Sequence, residues 1–260
     1  MSSFYTPRRT RNIYSPGSKE PYKLSRSKID LFLECPRCFY LDRRLGVGRP
    51  PGFPFTLNSA VDALLKKEFD MHRASGRTHP LIEASGVDAM PVRLDELDTW
   101  RQNFTGVQFL HKETNLLIFG AIDDLWQNSH DEYIVVDYKA TATNGKITEL
   151  TKAHHAGYKR QMEIYQWLLR RNGLNVSDTG YFVYCNGQKD REAFDGKLEF
   201  DVTLIDYTGN DDWVEQAIIN AHACLNSDYV PGAAGDCDFC AYMQAAESVI
   251  TEHSQDTSDR

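Results

Sequence analysis

Two Cys-x-x-Cys pairs, Cys35-Pro-Arg-Cys38 and Cys237-Asp-Phe-Cys240, stand near opposite ends of a 260-residue chain. Four such thiols make the ligand count for a tetrahedral zinc ion or for an iron–sulfur cubane. Either group would force residues near 35 and 240 into one small volume, so any fold must bring the two ends together. No secretory signal or membrane-length apolar run is read in the sequence, so a cytoplasmic location is expected. In that compartment, six cysteines favour metal or chemistry over disulfides. Cys185 and Cys224 lack a near neighbour of their kind and read as small buried apolar residues.

Between these pairs, helical and strand patterns alternate, which predicts an α/β or α+β fold. SKIDLFLECPRCFYLDRRL reads as one helix, and residues 58–74 as a second, capped by Asn58 or Ser59, with Val61, Leu64, Leu65 and Phe69 as its apolar stripe. LLIFGAIDDLW and YIVVDYKA read as two strands joined by the turn QNSHDE. A long helix through YKRQMEIYQWLLRRNG stops at Gly173. GYFVYCNG and KLEFDVTLID read as further strands, and DDWVEQAIINAHACLN as a last helix. Residues 90–106 suit a short helix at best. Three regions are expected: a basic flexible arm over 1–28, a central domain over 29–246 and a polar tail over 247–260. The arm carries seven basic residues against one glutamate. Contact with phosphate and a merely solvated tail both suit it.

The chemistry concentrates on the hairpin. A turn centred near His130 sets Asp123 opposite Asp137, where facing Cβ atoms are ~5 Å apart. Carboxylates so close repel and call for a cation between them. Lys139 follows on the same strand face as Asp137. Oxygen ligands of this kind favour Mg²⁺ or Mn²⁺. An ordinary ion pair on the wet face of a hairpin would use the same residues.

GAIDDLW followed by VVDYKAT resembles the G-x-x-D … (D/E)-x-K signature of PD-(D/E)XK nucleases, RecB-type branch. Gln161 and Tyr165 match that branch's Q-x3-Y motif, and their i, i+4 spacing puts them on one helix face. LSRSKIDLFLECPRCFYL is similar to the branch's entrance helix, so the likeness spans roughly residues 24–242.

The resemblance implies a restriction-endonuclease-like core, a small mixed central sheet flanked by helices, and metal-dependent hydrolysis of phosphodiesters. Catalytic roles then fall to Asp123, Asp137, Lys139, Gln161 and Tyr165, and the metal to Asp123, Asp137 and the Tyr138 carbonyl. The branch's Gly-x-x-x-His motif is altered: Asn58 replaces Gly, and Asp62 stands at the His position as an oxygen ligand or as the mark of an impaired site. Glu68 is an alternative first acid.

CRISPR-associated exonucleases and AddB-like subunits of this branch hold a [4Fe–4S] cluster, usually on one early and three late cysteines. The two-plus-two arrangement of Cys35, Cys38, Cys237 and Cys240 departs from that pattern and keeps Zn²⁺ as the alternative. In either case the role is structural.

The implied partner is DNA, single-stranded or at duplex ends, with possible repair or recombination proteins and no membrane. Net charge is −8, from 29 basic and 37 acidic residues, so binding must rest on local patches. Arg43, Arg44 and Arg49, and Lys152, His154, His155, Lys159 and Arg160, are the candidates, with Tyr158 or Trp167 to stack bases. No base-reading motif is seen, so sequence preference should be low. A nuclease fold that has stopped cutting and serves as a binding or adaptor module is the competing reading.

Overall fold

The computed structural model describes residues 6–258; the first five residues of the expected arm and the last two of the tail lie outside the described residues. The chain divides into two compact units, one of residues 53–111 and 117–214, the other of residues 1–52, 112–116 and 215–260.

The first of these is built on a five-stranded mixed sheet. Its strands are β2 (Met90–Pro91), β5 (Asp124–Gln127), β6 (Tyr133–Thr141), β7 (Thr179–Gly187) and β8 (Phe200–Thr208), in the order β2-β5-β6-β7-β8. All neighbours are antiparallel except β6 and β7, which run parallel. Parallel neighbours need a long crossover, here α6 (His155–Arg171). The hairpin keeps the expected register from Asp124 opposite Val136 to Gln127 opposite Tyr133, but the expected Asp123–Asp137 pair lies beyond the end of the ladder. Asn128 sets its turn by accepting the His130 and Glu132 amides on Oδ1.

The sequence run LLIFGAIDDLW is not one strand. It splits into β4 (Leu116–Gly120), which neighbours β3 (Val107–His111) in a smaller sheet, and β5. The break falls where the Ile122 amide turns to the Trp100 carbonyl and Asp123 leaves the ladder.

Side-chain alternation sorts the faces of β6. Ile134, Val136 and Tyr138 pack with Phe69, Ile82 and Trp126 in a core covered by α3 (Thr56–Ser75). Asp137 and Lys139 therefore point to the other face, toward α6. There, α6 lies so close to β7 that a Cβ on Gly180 would stand 2.4 Å from Met162 Sδ and 2.9 Å from the Val135 carbonyl, so a side chain there would force a shift. Helix α3 begins at Thr56, earlier than expected, and neither Asn58 nor Ser59 caps it. The Asn58 side chain instead donates to the Ala140 carbonyl, and Ser59 donates to Phe55 O. Leu64, expected in the apolar stripe, is exposed. Residues 90–106 give β2 and the short α5 (Leu97–Trp100).

In the second unit, the expected single entrance helix is two: α1 (Arg26–Glu34) and α2 (Pro36–Arg43). Pro36 drives Cys35 out of the helical region, to φ −160° and ψ 105°, and then opens α2. The described part of the arm packs against the rest of its unit. The Arg9 amide donates to Gly46 O, Tyr14 is buried with its amide on Arg43 O, and Tyr22–Ser25 form β1. Buried Asp42 explains the packing, since Arg9, Lys28 and Arg43 all converge on its carboxylate. Gly46, at φ +81°, admits this contact; a Cβ there would stand 2.3 Å from Arg9 O. The unit closes through Tyr14 to Asn226, Tyr40 to the Ser227 carbonyl and Arg37 to the Pro231 carbonyl. The expected polar tail continues as α8 (Asp238–Ser258).

Candidate functional site

The acids of the hairpin meet at the point where β5 ends and β6 continues. Asp137 is fully buried, accepts Gln161 Nε2 at 2.7 Å on Oδ1, and pairs with Lys139 through Oδ2. Gln161 also accepts Lys139 Nζ at 3.2 Å and donates to Tyr165 OH at 3.1 Å. One side chain thus ties acid and lysine together from α6. The Lys139 ammonium also sits 4.6 Å above the Tyr158 ring. Burial alone would lower its pKa, but Asp137 and Asp123 outweigh that and raise it, so Lys139 stays charged.

Asp123 Oδ2 accepts the Tyr138 amide at 3.0 Å, which fixes that carboxylate beside the strand. A residue's N–H and C=O leave a strand by the same edge, so the Tyr138 carbonyl faces the same edge as Asp123. Asp123 Oδ1 receives Lys66 Nζ at 3.2 Å, and the same ammonium lies 2.9 Å from Asp62 Oδ2. Burial and the Asp123 charge raise the Asp62 carboxyl; the two carboxylates in turn hold Lys66 raised against its burial.

The geometry therefore gathers Asp62, Asp123, Asp137, Tyr138, Lys139, Gln161 and Tyr165. It does not gather Glu68, which is exposed and bonds His79 Nε2 at 3.0 Å. Lys66 was missed in the sequence, although its i+4 spacing from Asp62 was a legible signal.

Asp124 was also missed. It is fully buried and accepts Tyr138 OH at 2.7 Å, Arg101 at 2.8 Å and Arg73. Arg101 also donates to the Asp123 carbonyl and to Asp70. These contacts clamp the backbone that carries Asp123. Asp124→Ala should cost about 3–5 kcal/mol, because two buried guanidinium groups lose a partner. Denaturant unfolding of the two proteins measures that difference.

The second centre belongs to the other unit. Cys35, Cys38, Cys237 and Cys240 are all buried, with their sulfurs within 4.8 Å of one another. Sγ separations are 3.8 Å for Cys35–Cys240 and 3.6 Å for Cys38 with Cys237 and with Cys240. Arg49 approaches Cys237 Sγ at 3.5 Å, a cation placed to offset thiolate charge. Four buried soft donors converging in this way fit a metal group. Cys185 and Cys224 lie apart from the centre, and burial pushes each thiol up to about 11.

The cations proposed for DNA fare unevenly. Arg43 is buried on Asp42 and unavailable to phosphate. Arg44 is half-buried. Lys152 is exposed, Lys159 lies 5.4 Å over the Tyr207 ring, and Arg160 is half-buried on α6. Trp167 is core, edge-on to Phe109.

A family model described as PD-(D/E)XK nuclease superfamily matches residues 56–245. The chain belongs to the PD-(D/E)XK nuclease superfamily. This superfamily's name fits the mixed sheet and the acid–lysine cluster described above. A solved structure described as "Crystal structure of SSO0001" aligns over 81% of this chain and 80% of its own, at 15% identity and a TM-score of 0.36. No curated protein matches the chain. No described helix is long and apolar enough to cross a membrane.

Proposed function

We propose that this superfamily member is a Mg²⁺- or Mn²⁺-dependent deoxyribonuclease of the RecB-like type, exonuclease-like and with little sequence preference. The observation that carries the reading is the joint hold of Gln161 on Asp137 and Lys139, with Asp123 anchored beside them on the Tyr138 amide. An ordinary surface ion pair would have left Asp137 wet; here it is fully buried.

Asp123, Asp137 and the Tyr138 carbonyl are the donors that would hold a divalent ion, with Asp62 beside them. When bound, the ion polarises the scissile phosphate and lowers the pKa of a coordinated water. Lys139 keeps its proton and offers positive charge where negative charge grows on the phosphate oxygens. Gln161 fixes the direction of that ammonium, while Tyr165 fixes Gln161. Lys152, Lys159 and Arg160 lead along the same helix and approach, where they would meet the DNA backbone.

The cysteine centre is proposed to be structural. Zinc with ~2.3 Å bonds to sulfur sets tetrahedral thiolates ~3.8 Å apart, which suits the observed separations. A four-iron cubane carries one thiolate at each of four iron corners and needs them spread wider. The spacing therefore favours zinc over the [4Fe–4S] cluster.

Cleavage of end-labelled single- and double-stranded DNA with Mn²⁺ tests the reading, beside Lys139→Ala prepared in the same way. The native chain should cut, and the variant should be slower by at least about 10²-fold, the scale of losing one group that stabilises developing charge. Equal rates would remove Lys139 from the chemistry. No cutting by either, with the fold intact, would favour the binding or adaptor module.

A further inference from the structure

We propose that the Lys66 ammonium group occupies the place of a second cation in the acid cluster, so that the site takes one divalent ion and not two. The inference rests on the nuclease reading and deepens it.

Among the described residues, the polar contact that links Asp62 to Asp123 is Lys66. The ammonium stands 2.9 Å from Asp62 Oδ2 and 3.2 Å from Asp123 Oδ1, bridging two carboxylates as a shared metal ion would. Those separations are set for nitrogen. Mg²⁺ draws its oxygens to about 2.0–2.1 Å, so an ion in that gap would have to expel Lys66 and pull the two acids together.

The chain keeps Lys66 where it is by two means. Its i, i+4 relation to Asp62 makes the pair neighbours on one face of α3. Asn58, one turn before Asp62, fastens α3 to the Ala140 carbonyl of β6. On the other side of Asp123, Asp137 has its own ammonium, Lys139. Three carboxylates thus face two fixed ammonium groups, leaving one net negative charge. One divalent ion reverses that sign and suits an incoming phosphate, whereas a second would add a large excess of positive charge. In this arrangement Asp62, at the position of the family's histidine, is the anchor of Lys66 and is spared from ligating the metal.

The test counts Mn²⁺ bound to the full chain, its cysteine centre loaded with zinc, by electron paramagnetic resonance of the free ion. The native protein should bind one Mn²⁺ at the acid cluster. Lys66→Met keeps the length of the side chain without its charge and should bind two. Lys66→Arg keeps the charge and should stay at one, and Lys66→Gln provides a second neutral variant. Circular dichroism confirms that each is folded. Two ions in the native protein, or one in both neutral variants, would overturn the proposal. No Mn²⁺ uptake by any of these proteins would sink the nuclease reading and this inference together. DNA cleavage with two bound ions in the native protein would sink the inference alone.

Discussion

Cys240→Ser should strip the metal from the cysteine centre and unfold the unit that contains it at a much lower temperature. Binding of a structural zinc by thiolates contributes about 10–16 kcal/mol in small domains, and that energy is folding energy. The ligands lie on α2 and α8 or just before them, segments nearly the whole chain apart, so losing one thiolate loosens both ends of the unit. Sacrificing even about 3 kcal/mol of the binding energy would lower Tm by roughly 6–12 °C for a chain of this size. Metal content by mass spectrometry and a calorimetric scan report the two effects separately. Cys224→Ala provides the contrast: its thiol lies outside the centre, so metal content should not change. Cys185 and Cys224, both pushed up to about 11, should also resist alkylation at neutral pH, because the thiolate is the reactive form.

Asp137→Asn should lower DNA cleavage by at least about 10³-fold while leaving the fold in place. The substitution keeps shape and an acceptor for Gln161 Nε2 but removes the charge that would face a divalent ion. Metal catalysis of this kind supplies several kcal/mol, of which about 4 kcal/mol corresponds to 10³-fold. It also leaves Lys139 without its nearest carboxylate, so Mn²⁺ affinity should fall together with rate. Calorimetric titration with Mn²⁺ and single-turnover cleavage measure both. Full activity in Asp137→Asn would remove this carboxylate from the site.

Much of this arrangement was legible because it depends on periodicity. The register of β5 on β6 follows from the turn, and the sides taken by Asp137 and Val136 follow from strand alternation. Gln161 and Tyr165 were found through a motif whose spacing a helix converts into one face. What escaped reading was set by single residues acting against the local pattern or by partners far away in sequence. Pro36 splits a helix that the hydrophobic spacing alone would continue. Two cations of the arm, Arg9 and Lys28, meet a partner that lies far along the chain, Asp42, a buried carboxylate 33 residues beyond Arg9. Asp124 follows Asp123 directly in sequence as the same residue type, and the convergence of Arg73, Arg101 and the Tyr138 hydroxyl makes one acid structural and leaves the other for the site.

The early end of β5 has a consequence for association as well as for chemistry. Among the described residues, no strand pairs with Asp137–Thr141 of β6 on the β5 side, a border of the type that recruits other strands. Two of its backbone groups are already taken: the Tyr138 amide by the Asp123 carboxylate, and the Ala140 carbonyl by the Asn58 amide. Side chains acting as stoppers deny this border to a stray strand while leaving the notch open. The bond that aims Asp123 is thus also one of the two that would hinder a second copy's strand from pairing along this border.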